Sequence, residues 1–203
     1  TMIVTLATMT LFQGLSYIIS QSKSFSSLPA AFKFIGQGYL GNLPVSIFAL
    51  IAIVAVVSFI LNKTHYGRYV YAIGGNPDAA HLAGINVERV RLRTFALNGA
   101  LVGLAAVLLI SRSGSASSAM GTSLQFDSIT ACILGGVSFT GGSGKVSNAV
   151  LGVLCLGVLS NGMQLIGWGI YVQYVVKAIL LVIALAFDMY TKNKVLADDA
   201  ANG

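Results

Sequence analysis

Charged residues are scarce in this chain of 203 residues: they make up 9% of it, against 56% hydrophobic residues. Soluble domains carry about 25% charged residues, so this composition excludes an ordinary water-soluble domain and is typical of a membrane protein. The net charge of +6 would suit a nucleic-acid-binding protein, but the cations flank apolar segments and no nucleic-acid motif is present. Retention of loops on the cytoplasmic side explains the cations better, so no nucleic-acid partner is expected.

Cysteine and histidine are also scarce. Cys132 and Cys155 both lie in apolar segments, where a thiol behaves as a small hydrophobe rather than as part of a disulfide framework or metal site. His65 and His81 lie in one polar segment with no cysteine or carboxylate cluster near them. The sequence therefore predicts no catalytic residues, no metal ligands and no cofactor, and a membrane enzyme is the least favoured class.

Six segments are candidate membrane spans, since a hydrocarbon core of about 30 Å requires about 20 apolar residues. They are approximately 2–19, 43–61, 94–110, 126–139, 146–165 and 171–187. The fourth is short, and the pair Gly135 and Gly136 near its end indicates a broken or re-entrant element, which protein or a watery cavity must cover. The predicted fold is an all-α, polytopic membrane helix bundle.

The domain organisation follows from these spans. Residues 1–194 are predicted to form one membrane domain, and residues 195–203, which have little to bury, a disordered tail. The chain opens directly into an apolar segment without a basic region or cleavage site, so no signal peptide is predicted. We expect it to be the C-terminal part of a longer protein.

The basic residues predict the orientation. If the polar segment 62–93 is cytoplasmic, eight basic residues lie on the cytoplasmic side of the membrane: Lys63, Arg68, Arg89, Arg91, Arg93, Lys145, Lys192 and Lys194. Only Lys23, Lys33 and Arg112 fall on the other side. This asymmetry predicts that both ends of the chain are cytoplasmic, with long outer loops at 20–42 and 111–125.

The polar segment 62–93 contains the signature of a short helix. Asn76 is a favoured N-cap, Pro77 suits the first helical position, and Asp78 suits the positive end of the helix dipole. Gly84 supplies the stop. Fewer than two turns lie between them, which is marginal in water unless the helix docks onto something. With basic residues on both sides, the segment indicates either a docking surface or an ordinary cytoplasmic connector.

Polar side chains inside the spans are candidates for a solute pathway. Thr5, Thr8, Gln13 and Ser16 fall within an arc of about 140° on a helix, and Asn98 is an amide within the third span, where it needs a partner. The stripe could line a solute path or simply bond neighbouring helices, and both readings stay open.

Lys177 is the one ionisable residue well inside a predicted span. It lies about two turns from the predicted outer end, where its stem could extend to the interface, although a charge facing the pathway is the alternative. Ion-coupled carriers need several such groups, so their scarcity favours transport of an uncharged solute powered elsewhere.

A possible phosphate-binding loop fails on two residues. Lys145 follows Gly144, but Phe139 stands where the first glycine belongs and Val146 replaces the serine or threonine that would hold magnesium. The chain is therefore not expected to hydrolyse ATP.

Several motifs together closely resemble permease subunits of the ribose, galactose and xylose class of bacterial ABC importers. The polar segment reads YAIGGNPDAA at 71–80 and LAGINV at 82–87, and it also matches the looser Glu-Ala-Ala pattern of importer permeases, with Asp78 in place of Glu. A second match reads FDSITA at 126–131 and LGGVSFTGGSG at 134–144, and further matches occur at 3–9, 161–162 and 174–177. The resemblance covers almost the whole chain.

The resemblance implies a multi-pass subunit of the bacterial inner membrane. Its expected partners are a cytoplasmic ATP-binding subunit, a periplasmic or surface sugar-binding protein, and a second, identical permease subunit; its solute is a monosaccharide. The ATP-binding subunit would hold the short helix, so the residues expected to couple to it are Asn76, Pro77, Asp78, Ala79, Ala80, His81, Leu82 and Gly84.

The motifs do not carry the identity of the sugar. A permease of the same architecture for a nucleoside or a branched-chain amino acid is an alternative, and an ATP-independent channel or carrier is another.

Overall fold

The protein is described by a computed structural model, with side chains for residues 3–190. The backbone is described for residues 2–202. The expected disordered tail, 195–203, lies outside the residues whose side chains are described and stays a prediction. The elements in chain order are α1 (Met2–Ser20), α2 (Ala30–Gln37), β1 (Tyr39–Leu40), β2 (Leu43–Pro44), α3 (Val45–Lys63), α4 (His65–Gly75), α5 (Pro77–Leu82), α6 (Val87–Ser113), α7 (Leu124–Leu134), α8 (Val146–Leu165) and α9 (Ile170–Asn202).

The all-α, polytopic architecture is confirmed. Among the described residues, five helices are long and apolar enough to cross a membrane: α1, α3, α6, α8 and α9. The fourth predicted span is the 11-residue helix α7, which rises only about 16 Å and so reaches about half-way across the hydrocarbon. It ends at Gly135, and Gly136 follows with a φ of +79°. The prediction of a short or broken element is therefore confirmed.

The chain forms two compact units. The first comprises Thr1–Ile53 and Phe95–Thr122, and the second comprises Val54–Thr94 and Ser123–Gly203.

In the first unit, the predicted outer loop 20–42 is not irregular throughout, because it contains α2 and strand β1. The buried Ser111 hydroxyl ties α2 to the last turn of α6: it donates to the Phe32 carbonyl at 2.6 Å and accepts from the Gly36 N–H at 2.7 Å. A side chain at Gly36 would overlap the backbone of Arg112. This backbone-to-backbone packing between distant segments leaves no local sequence pattern, so the sequence did not predict it.

In the second unit, α7 packs against α8 and α9. The approach to α8 is close enough to require glycine, since a Cβ at Gly152 would overlap the Ala131 carbonyl oxygen and one at Gly135 would overlap that of Asn148. The Asp188 carboxylate on α9 accepts a hydrogen bond from the Phe139 N–H at 3.2 Å, just after α7. Short as it is, α7 is thus fixed along its length by its neighbours.

The glycine contact between α7 and α8 predicts that two glycine substitutions in α8 change the thermal stability differently. Gly152→Val should lower the thermal unfolding midpoint in detergent, because overpacking costs about 1–3 kcal/mol. Gly162→Ala is the control: its Cβ would meet nothing within 4 Å, so the midpoint should hold or rise. Equal midpoints for the two variants would contradict the packing.

Candidate coupling surface

The six-residue helix α5 begins as the sequence predicts. The Asn76 side-chain oxygen accepts from the Asp78 N–H at 3.0 Å and from the Ala79 N–H at 3.1 Å. Pro77 occupies the first turn and needs no hydrogen-bond partner for its nitrogen. Two of the unpaired amides at the helix start are therefore satisfied by one side chain.

The helix ends in a Schellman motif at Gly84. The φ of Gly84 is +81°, in the left-handed region. The Gly84 N–H donates to the His81 carbonyl at 2.9 Å, and the Ile85 N–H donates to the Ala80 carbonyl at 3.1 Å. These are the two bonds that define the motif, so the predicted stop is confirmed.

A small apolar core holds α5 in place. Ala80, only 5% exposed, packs in a cluster with Ile73 of α4 and Val90 of α6. Partly buried residues surround the cluster: Tyr66, Val70, Ile85 and Val87. The docking that so short a helix needs is therefore supplied by the chain itself, on the side opposite to its exposed residues.

Helix α4, like α2, is an element that sequence reasoning missed. Thr64 caps it, with the side-chain oxygen accepting from the Gly67 N–H at 3.3 Å. A Cβ at Gly67 would overlap the Leu61 carbonyl, so α4 turns sharply from the end of α3. The Thr-His-Tyr-Gly start at residues 64–67 was an available N-cap signal, but the three glycines of α4 and its polar surroundings suggested a connector.

The end of α4 lies against the turn between α7 and α8. The Tyr71 hydroxyl donates to the Gly144 carbonyl at 2.9 Å. A Cβ at Gly142 would lie 2.8 Å from the Gly75 nitrogen, and one at Gly74 would overlap the backbone of Gly142. The glycine-rich turn thus packs against backbone. A continuous path of contacts runs from α5 through α4 to the helices α7 and α8.

The free side of α5 is exposed and presents an apolar residue. Leu82 is 88% exposed, and Asp78 and His81 are exposed beside it. An open depression of about 450 Å³ adjoins the helix, lined by residues 84–88 and His81. A second, of about 330 Å³, is bordered by basic residues that include Arg89 and Arg93. The surface around α5 thus combines one exposed apolar residue with charged and polar side chains.

The histidines have no metal-site environment among the described residues. His65 Nδ1 lies 2.6 Å from an Arg68 guanidinium nitrogen, while His81 is exposed on α5. No group of three His, Cys, Asp or Glu side chains comes together in the part of the chain that was described.

Comparison with known proteins decides the family. The family described as "Branched-chain amino acid transport system / permease component" matches residues 1–185. The chain belongs to this permease family. No solved structure matches the chain.

Individual relatives are transport permeases for pentoses. The chain is 39% identical over 188 residues to the ribose import permease protein RbsC of Bacillus subtilis, covering 92% of this chain and 58% of that protein. It is 40% identical over 189 residues to the L-arabinose transport system permease protein AraH of Escherichia coli, covering 93% and 58%. It is 44% identical over 151 residues to the xylose transport system permease protein XylH of Haemophilus influenzae, covering 74% and 40%.

These relatives confirm the resemblance to sugar importer permeases. With the five candidate spans, they identify the chain as a multi-pass protein of the inner membrane. The chain spans less than two thirds of the length of these relatives, about 58% in the case of the ribose and arabinose permeases.

The pathway role of the polar residues in the spans remains a prediction. Gln13 is half-buried, and Thr5, Thr8, Ser16 and Asn98 are exposed. The Thr8 hydroxyl donates to the Val4 carbonyl of its own helix, which satisfies it locally. The coupling role of residues 76–84 likewise stays a prediction, although their local structure is that expected.

Lys177 has a partner that sequence reasoning missed. Its ammonium nitrogen lies 2.9 Å from a carboxylate oxygen of Asp127, and the two side chains are 18% and 28% exposed. Because α7 and α9 bring together residues 50 apart in sequence, no local pattern could have predicted the pair. The position of Lys177 alone suggested that its side chain extends to the membrane surface. The ion pair with Asp127 makes that extension unnecessary.

The N-cap of α5 can be tested directly. Asn76→Ala should destabilise the start of α5 by about 1 kcal/mol, because two amides lose their acceptor. Hydrogen exchange at Asp78 and Ala79 should then be about fivefold faster by local opening. Asn76→Ser, which restores an acceptor oxygen, should exchange close to the unmodified rate. Unchanged exchange in the alanine variant would contradict the capping role.

Proposed function

We propose that this chain is the transmembrane permease subunit of an ATP-driven importer and that it provides the pathway for a monosaccharide across the inner membrane. The observation that carries this proposal is the docked helix α5 with its exposed Leu82, in a chain whose relatives are named as ribose, arabinose and xylose permeases. The chain itself is a non-catalytic subunit, and ATP hydrolysis takes place on a separate cytoplasmic partner.

The ATP-binding subunit receives α5 in a cleft on its surface. A ligand shifts an equilibrium only through its different affinity for the two states. In this importer that ligand is ATP, bound to the partner, and the states are outward-open and inward-open arrangements of the spans. Because α5 is fixed to α4 and α6 by the cluster of Ile73, Ala80 and Val90, displacing α5 displaces these helices with it.

The displacement then reaches the short helix α7. The tight contact of Gly74 and Gly75 with Gly142 leaves no space for α4 to slide independently of the turn before α8. Rigid elements of this kind transmit small displacements at an effector site, because packed interfaces do not deform continuously. α7 ends just before this turn and is packed tightly against α8 at Gly135 and Gly152, so a displacement of the turn displaces α7 and α8 together.

Two further partners complete the importer. A second copy of the permease contributes the other half of the pathway, and a periplasmic or surface sugar-binding protein delivers the sugar to the outer loops, which include α2. Thr5, Thr8, Gln13, Ser16 and Asn98 are candidates to face the pathway, where hydroxyl and amide groups suit a neutral polyol.

A second candidate function is import of a branched-chain amino acid, because the family description names that solute. The two candidate functions differ in the solute that is transported into the vesicle. In vesicles that hold the permease with its ATP-binding subunit and its solute-binding protein, we expect ATP-dependent uptake of radiolabelled ribose, arabinose or xylose and no uptake of leucine. Leucine uptake alone would support the second candidate, and sugar uptake that survives complete ATP depletion would indicate a channel or carrier.

The exposed leucine of α5 gives the sharpest test of coupling. Leu82→Asp should reduce ATP-dependent uptake about tenfold or more, since an unpaired carboxylate buried in the interface would lose its hydration without compensation. Because Leu82 is 88% exposed, membrane insertion and the thermal midpoint should not change.

The matched control is Leu82→Met, which keeps an apolar side chain and should retain uptake. Normal uptake in the aspartate variant would contradict the coupling role of α5.

A further inference from the structure

The ion pair between Asp127 and Lys177 lies among membrane-spanning helices, where a charged side chain costs free energy. Asp127 is in the first turn of α7, and Lys177 is two turns into the apolar helix α9. Ionisable residues within a membrane are rare, and they face the bundle interior or a water-filled cavity. Both side chains keep part of their surface accessible. The pair is therefore not sealed into the packing between the helices.

A pocket of about 230 Å³ opens beside the pair, between α7, α8 and α9. The polar residues that line it are Asp127, Lys177, Ser128 and Ser160. Aliphatic side chains that include Val153 and Leu156 form the rest of the wall.

These polar groups have hydrogen-bonding capacity to spare. The ammonium has three donors and the carboxylate about four acceptor positions, and their mutual contact uses one of each. The Ser128 hydroxyl donates to the Leu124 carbonyl at 2.7 Å and can still accept. The pocket therefore offers both donors and acceptors to a small polar ligand.

The lining residues lie at one depth. Asp127 is three residues from the start of α7, Ser160 five before the end of α8, and Lys177 seven after the start of α9. At 1.5 Å per residue they lie about 5–11 Å from those helix ends. With the orientation predicted from the basic residues, these are the outer ends. The pocket is then where an incoming solute first meets the spans.

We propose that this pocket is a binding site for a single neutral sugar ring. The Asp127 carboxylate accepts hydrogen bonds from two adjacent sugar hydroxyls, the Lys177 ammonium donates to a third oxygen, and Ser160 bonds a fourth. The aliphatic wall contacts the C–H face of the ring. Because the pair is neutral as a whole, it gives no advantage to a charged solute.

The size of the pocket agrees with this assignment. At about 230 Å³ it is below the range of about 300–1,000 Å³ typical of pockets for drug-sized ligands. It therefore suits one ring rather than an oligosaccharide.

The inference rests on the proposed sugar import and deepens it. The competing account is that the ion pair only ties α7 to α9. The two accounts differ when the pair is replaced by apolar side chains of similar volume, since such a replacement preserves packing and is often neutral or stabilising.

The first experiment uses the double variant Asp127→Leu with Lys177→Met, in proteoliposomes containing the permease, its ATP-binding subunit and its sugar-binding protein. Initial rates of ATP-dependent uptake are measured against the concentration of ribose, arabinose and xylose. We expect KM to rise at least tenfold with the thermal midpoint unchanged. A KM within twofold of the unmodified protein would overturn the proposal, because the pair would then be only a tie between helices.

A milder variant keeps the test decisive if the double variant fails to fold. Ser160→Ala leaves the ion pair intact and should raise KM about threefold with little change in kcat, the loss expected for one neutral hydrogen bond. The control is Ser147→Ala, an exposed serine in the first turn of the same helix, which should leave KM unchanged. Equal KM values for the two serine variants would overturn the proposal.

Failure of the inference and failure of the proposed function give different results. If the unmodified importer takes up none of the three sugars, sugar import is wrong and the pocket assignment falls with it. If it takes them up and the pocket variants do so with unchanged KM, only the pocket assignment is wrong.

Discussion

Coupling through a helix of six residues requires that the chain hold this helix rigid. In water a helix of this length does not persist, and α5 persists because Ala80 is buried against Ile73 and Val90 while caps at both ends satisfy its backbone. One face is thereby used for docking onto its own chain, and the opposite face is left for a partner. A loop at the same place could bind a partner equally well, but it would absorb the motion that α5 is proposed to transmit.

Glycine residues make the contacts that connect α4 to the turn between α7 and α8, and α7 to α8. Gly74 and Gly142 meet backbone to backbone, and Gly135 and Gly152 do the same for α7 and α8. Membrane helices lack the hydrophobic drive that packs soluble helices, so close contact between small residues supplies much of their association. In this chain the glycine contacts follow one path, from α5 to the short helix that does not cross the membrane. The parts expected to move are therefore firmly packed to one another.

Features that depend on neighbouring residues could be predicted from the sequence, and contacts between residues far apart in the chain could not. The caps Asn76 and Gly84 fixed α5 to within a residue, and apolar length identified the spans and the short α7. By contrast, the Asp127–Lys177 pair and the bonds of Ser111 to α2 join residues far apart in the chain, and α4 was hidden by its glycines. The family resemblance supplied the functional hypothesis, since no single chemical motif in the chain carries it.

Site-directed cross-linking can show whether α5 contacts the ATP-binding subunit on the cytoplasmic side. A single cysteine would replace Leu82 in a chain in which Cys132 and Cys155 are replaced by serine, and the importer would be assembled with its ATP-binding subunit in membrane vesicles. We predict that a short reagent, reactive towards a thiol at one end and an amine at the other, joins position 82 to that subunit and that ATP changes the yield. We also predict that a membrane-impermeant maleimide reaches the cysteine only from the cytoplasmic side. Labelling from the outer side, or no cross-link to the ATP-binding subunit, would contradict the account.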